Sequence, residues 1–403
     1  MKPILTFTAF LICFSSTSAQ DAKITLQKSF DKCQSINNGY YEMSRYFKSM
    51  TKKDTTTSFS TCCFKKLDND TIFPSAFHTR VYWKGEYNGD VLYTGDDFVT
   101  TSKKDSTGRI MSKDKWATDI NSIAHNYKFY SPFTNRKSSP MPDDSTFMDT
   151  TCSFRLLGEE MINGTSCYRI QVNEAAENDP EDAMQVTRIE FHFWINKEDF
   201  LPIQYSTAID LLMNNDTMYQ YELDRLDKYE INQLNNDSIL TLASIPEYYQ
   251  LKDYVPYKSP LPLPLDTLAP EWNLPSLTGE NVSLKSLRGN LVLIDFFYKS
   301  CYPCMQALPA LQALNEKYKD KDVRVIGIDP YDTKDEMDTF LSKRGVTYTI
   351  LLEGKDAAKD YRVSGYPTMY LVDKSGKIIF VQVGYGKGVD EELSKVIEKN
   401  LVE

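Results

Sequence analysis

The chain has 403 residues, 41% of them hydrophobic and 25% charged, which suits two or three packed domains and excludes a disordered or coiled-coil chain. Its formal charge of −10 excludes nucleic acid as a partner, and no basic run offers itself to an anionic membrane. The 26 tyrosines and 21 phenylalanines favour β-structure over a helical bundle.

The N-terminus reads as a secretory signal. Lys2 is the positive end, residues 4–14 are a short apolar core, and residues 17–19 (Thr-Ser-Ala) form a small-residue cleavage site. That places the mature start at Gln20. The apolar run is about half of the ~20 residues a spanning helix needs, so a soluble, exported protein is expected rather than an anchored one. Export places the chain where disulfides persist. Cleavage removes Cys13 from the eight cysteines and leaves Cys33, Cys62, Cys63, Cys152, Cys167, Cys301 and Cys304. An odd set of seven leaves at least one thiol outside any internal pair.

Residues 20–254 are expected to form a large antiparallel sheet, curved or half-barrel in form, with a few helices. In the stretch RIEFHFWIN, Ile189, Phe191, Phe193 and Ile195 face one way and Glu190, His192 and Trp194 the other. Asn163-Gly164 predicts a type I′ hairpin turn. In that register Cys167 faces residue 160 rather than Cys152, which disfavours a disulfide between the two cysteines. Cys62 and Cys63 point to opposite faces of a strand. Asn88-Gly89 predicts a second turn, and residues 113–126 a helix. The three histidines, His78, His125 and His192, are scattered through the domain and suggest no ligand set.

The segment 255–268, with prolines at 256, 260, 262 and 264, is expected to be an extended, semi-rigid linker. The pattern changes after it. Residues 291–298 (LVLIDFFY) form a continuous apolar run, as in a strand buried on both faces. Leu308, Leu311 and Leu314 follow at helical spacing, then a second buried strand at 323–329. Thr333 and Glu336 form a capping box. A hairpin about Lys374-Ser375-Gly376 and an amphipathic helix over 389–402 close the chain. Residues 269–403 therefore predict an α/β sandwich with a mixed sheet.

Cys301 and Cys304 stand between the first of these strands and the helix after it. The amides and dipole of a helix N-terminus stabilise a thiolate, the nucleophile of disulfide exchange. Two intervening residues let Cys304 close on Cys301, and Pro303 costs little in a first turn. A zinc ribbon would need two more ligands nearby, yet no cysteine follows 304 and no histidine follows 192. Inert packing of the two thiols is the remaining alternative. No metal and no cofactor is expected.

These residues resemble the TlpA/ResA-type thiol-disulfide oxidoreductases of the thioredoxin fold, relatives of the AhpC/TSA group, over about residues 268–403. The segment GYPTMYLVDKSGK resembles their cis-proline segment and hairpin. The resemblance implies that Cys301 attacks, Cys304 resolves, and the two form the redox disulfide. It implies that Pro367 is the cis-proline and that Tyr366, Tyr302 and Pro303 contact substrate. Asp295, six residues before Cys301, stands where the family keeps a buried acid that relays a proton. Pro309 resembles the helix-kinking proline, and Gly384 a glycine that keeps the site open. Three residues depart from the pattern: Ser300 replaces a common Trp, Tyr302 a Gly or Glu, and Met305 a basic residue. A peroxidase would have Pro and Thr at positions 294 and 298, which here are Ile294 and Tyr298.

More loosely, the hairpin about Asn163-Gly164 and the WINK…LP run at 194–202 resemble the β-sheet of LolA-like lipoprotein carriers, over about residues 35–235. That likeness implies a possible acyl-chain or lipoprotein ligand. The implied partners of the C-terminal half are protein disulfides or dithiols and a membrane or periplasmic thiol donor. The expected place is a bacterial periplasm or cell envelope. The alternative is a lipid- or protein-binding envelope module whose thioredoxin-like domain is redox-inert.

Overall fold

Period-two alternation runs through most of residues 38–231, and it builds a single sheet. The computed structural model describes residues 8–50, 54–124, 129–134, 141–142, 144–176, 178, 184–213, 216–342 and 344–401. The chain divides into two units. One comprises Met1–Glu177, Val186–Leu211 and Tyr219–Pro256; the other comprises Asn178–Gln185, Leu212–Met218 and Tyr257–Glu403. His125 and residues 1–7 of the expected signal lie outside the described residues. Among the described residues no helix is long and apolar enough to cross a membrane.

The first unit opens with helix α1 (Thr8–Gln34) and carries β1 (Asn38–Lys48), β2 (Thr56–Lys66), β3 (Ser75–Trp83), β4 (Glu86–Tyr93), β5 (Asp97–Ser102) and β6 (Thr107–Ser112). Helices α2 (Lys113–Ala124), α3 (Ser131–Thr134) and α4 (Asp144–Met148) follow. Then come β7 (Ser153–Ile162), β8 (Thr165–Glu174), β9 (Met184–Asn196), β10 (Pro202–Met213), β11 (Asp216–Ile231) and β12 (Gln250–Asp253). All twelve strands join in the order β12-β6-β5-β4-β3-β2-β1-β11-β10-β9-β8-β7. The pairs from β6 through β1 to β11, and those of β9 with β8 and β8 with β7, are antiparallel as expected, but β12 lies parallel to β6, so the sheet is not antiparallel throughout.

An aromatic core fills one region of this unit. Tyr41, Phe64, Phe77, Tyr93, Tyr130 and Phe133 are buried together with Ala22 and Leu26 of α1. Tyr130 is fixed twice: its N–H donates to the Tyr41 hydroxyl at 3.0 Å, and its own hydroxyl donates to the Pro202 carbonyl at 2.6 Å. The paired hydrogen bonds let these polar groups be buried without the cost of an unmet donor.

The two turn expectations divide. Asn163 and Gly164 both have positive φ, 48° and 82°, and close the β7–β8 hairpin with Cys167 opposite Glu160. The turn between β3 and β4, however, is Lys84-Gly85, with φ of 51° and 82°. Asn88-Gly89 lies inside β4, where the register shifts by one residue. A Cβ at Gly89 would come within 2.2 Å of the Thr101 carbonyl, so this glycine serves a close backbone approach rather than a turn.

In the second unit, Leu263 is buried and its N–H donates to the Tyr370 hydroxyl at 3.2 Å. The Asp266 and Ala269 N–H groups donate to the Ile378 and Gly376 carbonyls. The end of the proline-rich run is thus bonded to the body of this unit, while Val255, Tyr257 and Leu261 stay exposed. Strands β13 (Asn273–Pro275) and β14 (Asn281–Ser283) form a small ribbon. The main sheet has β15 (Leu291–Phe296), β16 (Val323–Ile328), β17 (Thr349–Leu351), β18 (Thr368–Val372) and β19 (Ile378–Val383), in the order β17-β16-β15-β18-β19. Strands β15, β16 and β17 are parallel; β18 runs antiparallel to β15, and β19 runs antiparallel to β18, so β19 shares the direction of the first three.

Every residue of β15 is buried, as its unbroken apolar run requires. Val292, Ile294 and Phe296 pack into a cluster with Tyr361 and Tyr370. Leu293 and Asp295 alternate to the opposite face. Helices α5 (Tyr302–Tyr318) and α8 (Val389–Leu401) pack on β16 and β15 and on each other. Helix α6 (Lys334–Leu341) begins at Thr333, whose N–H donates to Glu336 at 3.1 Å, and α7 (Lys355–Asp360) buries Ala357 and Ala358.

Candidate active site

Strand β15 ends at Phe296 and helix α5 starts at Tyr302, so the five residues between them carry the first cysteine to the edge of the sheet. Cys301 is the N-cap of α5, with extended backbone (φ −90°, ψ 109°). Its N–H donates to the Tyr298 carbonyl at 3.2 Å, and its carbonyl accepts from Met305 at 3.0 Å. Its Sγ accepts the otherwise unpaired N–H of Cys304 at 3.2 Å, as a capping oxygen would. Cys301 and Cys304 form a disulfide with Cα atoms 5.2 Å apart. Tyr302 and Pro303 are the first two helical residues, where the missing proline N–H would have no intrahelical partner. Tyr302 is 43% exposed beside sulfurs that are nearly buried. Pro309 lies inside α5 and cannot donate to the Met305 carbonyl.

Asp295 is fully buried, and neither carboxylate oxygen has a hydrogen-bond partner among the described residues. Burial alone pushes its pKa up to about 8. A buried acid with no compensating donor is held protonated near neutrality and can exchange that proton there.

The Tyr366–Pro367 peptide bond is cis. The Pro367 carbonyl accepts the Gly384 N–H at 2.7 Å, and the Thr368 hydroxyl donates to the Gly365 carbonyl at 2.6 Å. Gly384 has a φ of 81°, so its place in this brace is one that glycine adopts freely. In the sheet, Phe296 is opposite both Ile328 and Thr368. The loops bearing Cys301 and Pro367 therefore leave the sheet at one edge.

Several groups here were not singled out from the sequence. Asp329 is fully buried, and its Oδ1 accepts the N–H groups of Tyr331 at 2.7 Å and Asp332 at 3.0 Å. Burial pushes its pKa up; the two amides work against this, and the neighbouring Asp332 carboxylate adds to it. Lys299, two residues before Cys301, has a side chain only 7% exposed. Its ammonium meets Asp332 Oδ1 at 3.0 Å and Glu336 Oε1 at 2.5 Å, and its N–H donates to Asp332 Oδ2 at 2.8 Å. Burial opposes its charge, but Glu336 and Asp332 outweigh burial and raise its pKa. Tyr366, expected from the resemblance to contact substrate, stands in a cluster of rings with Tyr298 and Tyr331 that no sequence pattern marked. The run IDPYD, an aspartate at a strand end followed by a turn, is the signal that could have pointed to Asp329.

The cysteines of the first unit differ in kind. Cys33, Cys62, Cys63, Cys152 and Cys167 are all free thiols. Cys62 is buried and Cys63 partly exposed, as their opposite faces require. Burial pushes Cys33 and Cys62 up to about 12 and Cys167 up to about 11. His78 is held by Asp90 at 3.1 Å and His192 by Glu190 at 2.9 Å.

Comparison with known proteins converges on the disulfide-bearing unit. The AhpC/TSA family profile matches residues 265–381. The thioredoxin-like protein YneN of Bacillus subtilis is 34% identical over 119 residues, 29% of this chain and 69% of the relative. The thiol-disulfide oxidoreductase ResA of Bacillus thuringiensis is 30% identical over 132 residues, 32% of this chain and 75% of the relative. Among solved structures, the thioredoxin domain of a thiol-disulfide oxidoreductase from Bacteroides vulgatus aligns with a TM-score of 0.32 and 25% identity, covering 34% of this chain and 99% of that one. With its redox-type cysteine pair on a thioredoxin-fold sheet, the chain belongs to the TlpA/ResA-like thiol-disulfide oxidoreductases and is an oxidoreductase.

Proposed function

We propose that this is an exported enzyme of a bacterial cell envelope that exchanges disulfides in other proteins through Cys301 and Cys304. The observation that carries the reading is the N-cap position of Cys301, whose sulfur already accepts a helix N-terminal amide. In the reduced enzyme the Cys301 thiolate attacks a substrate disulfide and joins one of its sulfurs, and the other leaves as a thiolate. Cys304 then attacks Cys301, the second substrate sulfur leaves, and the enzyme disulfide seen here is formed. Two electrons pass to the substrate, and a membrane or periplasmic dithiol returns them.

In its ionised form, which is populated as pH approaches its raised pKa, Asp295 takes the proton from the Cys304 thiol as that thiol becomes a nucleophile, a role supported by its burial and raised pKa. The Tyr366–Pro367 segment, with Tyr302 and Pro303, lies against the bound polypeptide. Residues 1–19 are the export signal, 20–254 the β-rich domain, 255–268 the linker and 269–403 the catalytic domain. Insulin reduction with a dithiol donor tests the scheme. Cys301→Ser abolishes turnover, and Cys304→Ala accumulates mixed disulfides with envelope proteins. Unchanged turnover in the first variant contradicts the assignment.

A second reading concerns the first unit. A cavity of about 470 Å³ lies against its sheet, lined by Met43, Phe47, Phe59, Val81, Trp83 and Phe129, with Arg45 ion-paired to Glu222 and Asp224 beside it. Its size is that of a small-ligand site. It favours an acyl-chain or lipoprotein ligand held by the first unit. A lipid extract of the purified chain free of acyl chains counts against that reading.

A further inference from the structure

Three tyrosines reach the catalytic edge from three separate loops. Tyr298 follows β15, Tyr331 follows β16, and Tyr366 precedes β18. Because β15 and β16 are parallel and β18 antiparallel to β15, these three points fall at one end of the sheet. The rings meet there. Centroids are 5.6 Å apart for Tyr298 and Tyr331, 5.2 Å for Tyr298 and Tyr366, and 5.8 Å for Tyr331 and Tyr366. All three pairs are edge-to-face, and the Tyr331 and Tyr366 hydroxyls are 3.1 Å apart. Tyr331 is nonetheless 59% exposed.

The cluster adjoins the reacting sulfurs through the backbone. The Tyr298 carbonyl accepts the N–H of Cys301, and Tyr366 is bonded directly to Pro367. It is also rigidly mounted. Buried Asp329 holds the Tyr331 amide, and Lys299, next to Tyr298, is clamped by Asp332 and Glu336 from the loop and helix after Tyr331. Lys299, the cation beside the rings, is thus taken up by Asp332 and Glu336, and Asp329 is buried, so Lys299 does not compete for the ring faces. An exposed, preorganised aromatic surface of this kind suits an apolar ring and disfavours an anion.

We propose that Tyr298, Tyr331 and Tyr366 determine specificity: they form a cradle for an aromatic side chain flanking the reactive cysteine of a polypeptide substrate. The inference rests on the disulfide-exchange function proposed above. It gives this chain an aromatic recognition surface built from other loops, where position 300 carries serine.

The test uses the full chain and two symmetric peptide disulfides that differ only in Phe or Gly beside the cysteine, with cystine as a third substrate. The native protein turns over the Phe peptide with a kcat/KM about tenfold higher than the Gly peptide, through KM, as one aromatic contact is worth. Tyr331→Ala collapses that ratio towards one by raising KM for the Phe peptide, and Tyr331→Phe retains it. Equal kcat/KM for the two peptides in the native protein overturns the inference, as does a ratio that survives Tyr331→Ala. Absence of turnover on all three substrates instead overturns the disulfide-exchange function, and the specificity inference falls with it.

Discussion

The two units treat the same side chain in opposite ways. In the first, Cys62 and Cys167 lie on strands in the aromatic core and Cys33 is buried on helix α1, and desolvation pushes their thiols far towards the protonated form. In the second, Cys301 and Cys304 are equally inaccessible, at 4% and 1% exposure, yet they are paired to each other at a helix N-terminus. Burial alone therefore does not decide reactivity. The difference is what the sulfur faces: a helix N-terminal amide for Cys301, and for Cys62 the Thr79 and Tyr41 hydroxyls, which burial outweighs.

Alkylation of the reduced native chain sharpens this contrast most. At pH 8 a thiol with a pKa near 12 holds roughly a thousandth of the thiolate of an ordinary cysteine. Cys301 should be labelled at least about a hundredfold faster than Cys33, Cys62 or Cys167, which react only on unfolding. Mass spectrometry of tryptic peptides reads the order, and equal labelling of both sets breaks the comparison.

Asp295 gives the next largest effect. Its folded pKa, about 8, is above the unfolded value near 3.9. Below pH ~4 both states are protonated and the group costs nothing. Between pH ~4 and 8 the unfolded chain releases the proton first, so its contribution to stability falls as pH rises. Asp295→Asn should remove that loss and stabilise the C-terminal unit by on the order of a few kcal/mol at pH 8, and by almost nothing at pH 4. Denaturant unfolding at the two pH values measures it; an equal effect at both contradicts the burial account.

The smallest expected effect is at Glu336, whose carboxylate Lys299 and the Thr333 groups hold down to about 2. Half of that side chain is in water, which screens the pair. Glu336→Gln should cost no more than about 1 kcal/mol, with the loss present above pH ~4.3 and absent as pH falls towards 2.

How far each unit was legible in sequence follows from the same physics. The buried run of β15, the capping box at Thr333 and the strand–CxxC–helix junction are local patterns, and the structure has all three where the pattern puts them. The hairpin at Asn163-Gly164 is local as well. Asn88-Gly89 was misleading, because a glycine needed for close approach to Thr101 looks the same in sequence as a turn glycine. The parallel pairing of β12 with β6 is a long-range contact with no local mark. The tyrosine cluster and the Lys299–Asp332–Glu336 clamp were missed for a like reason. Residues 298, 331 and 366 come together only once the strand order is set, and no spacing announces them.

The most direct test of the central claim is the reduction potential of the Cys301–Cys304 pair in the full chain, equilibrated in thiol buffers and read by mass spectrometry after alkylation. A functional exchange site predicts one reversible two-electron transition confined to these two cysteines, between about −270 and −120 mV. No reversible transition in that window, with Cys33, Cys62, Cys63, Cys152 and Cys167 unchanged throughout, would contradict the account and leave the pair as a structural bond.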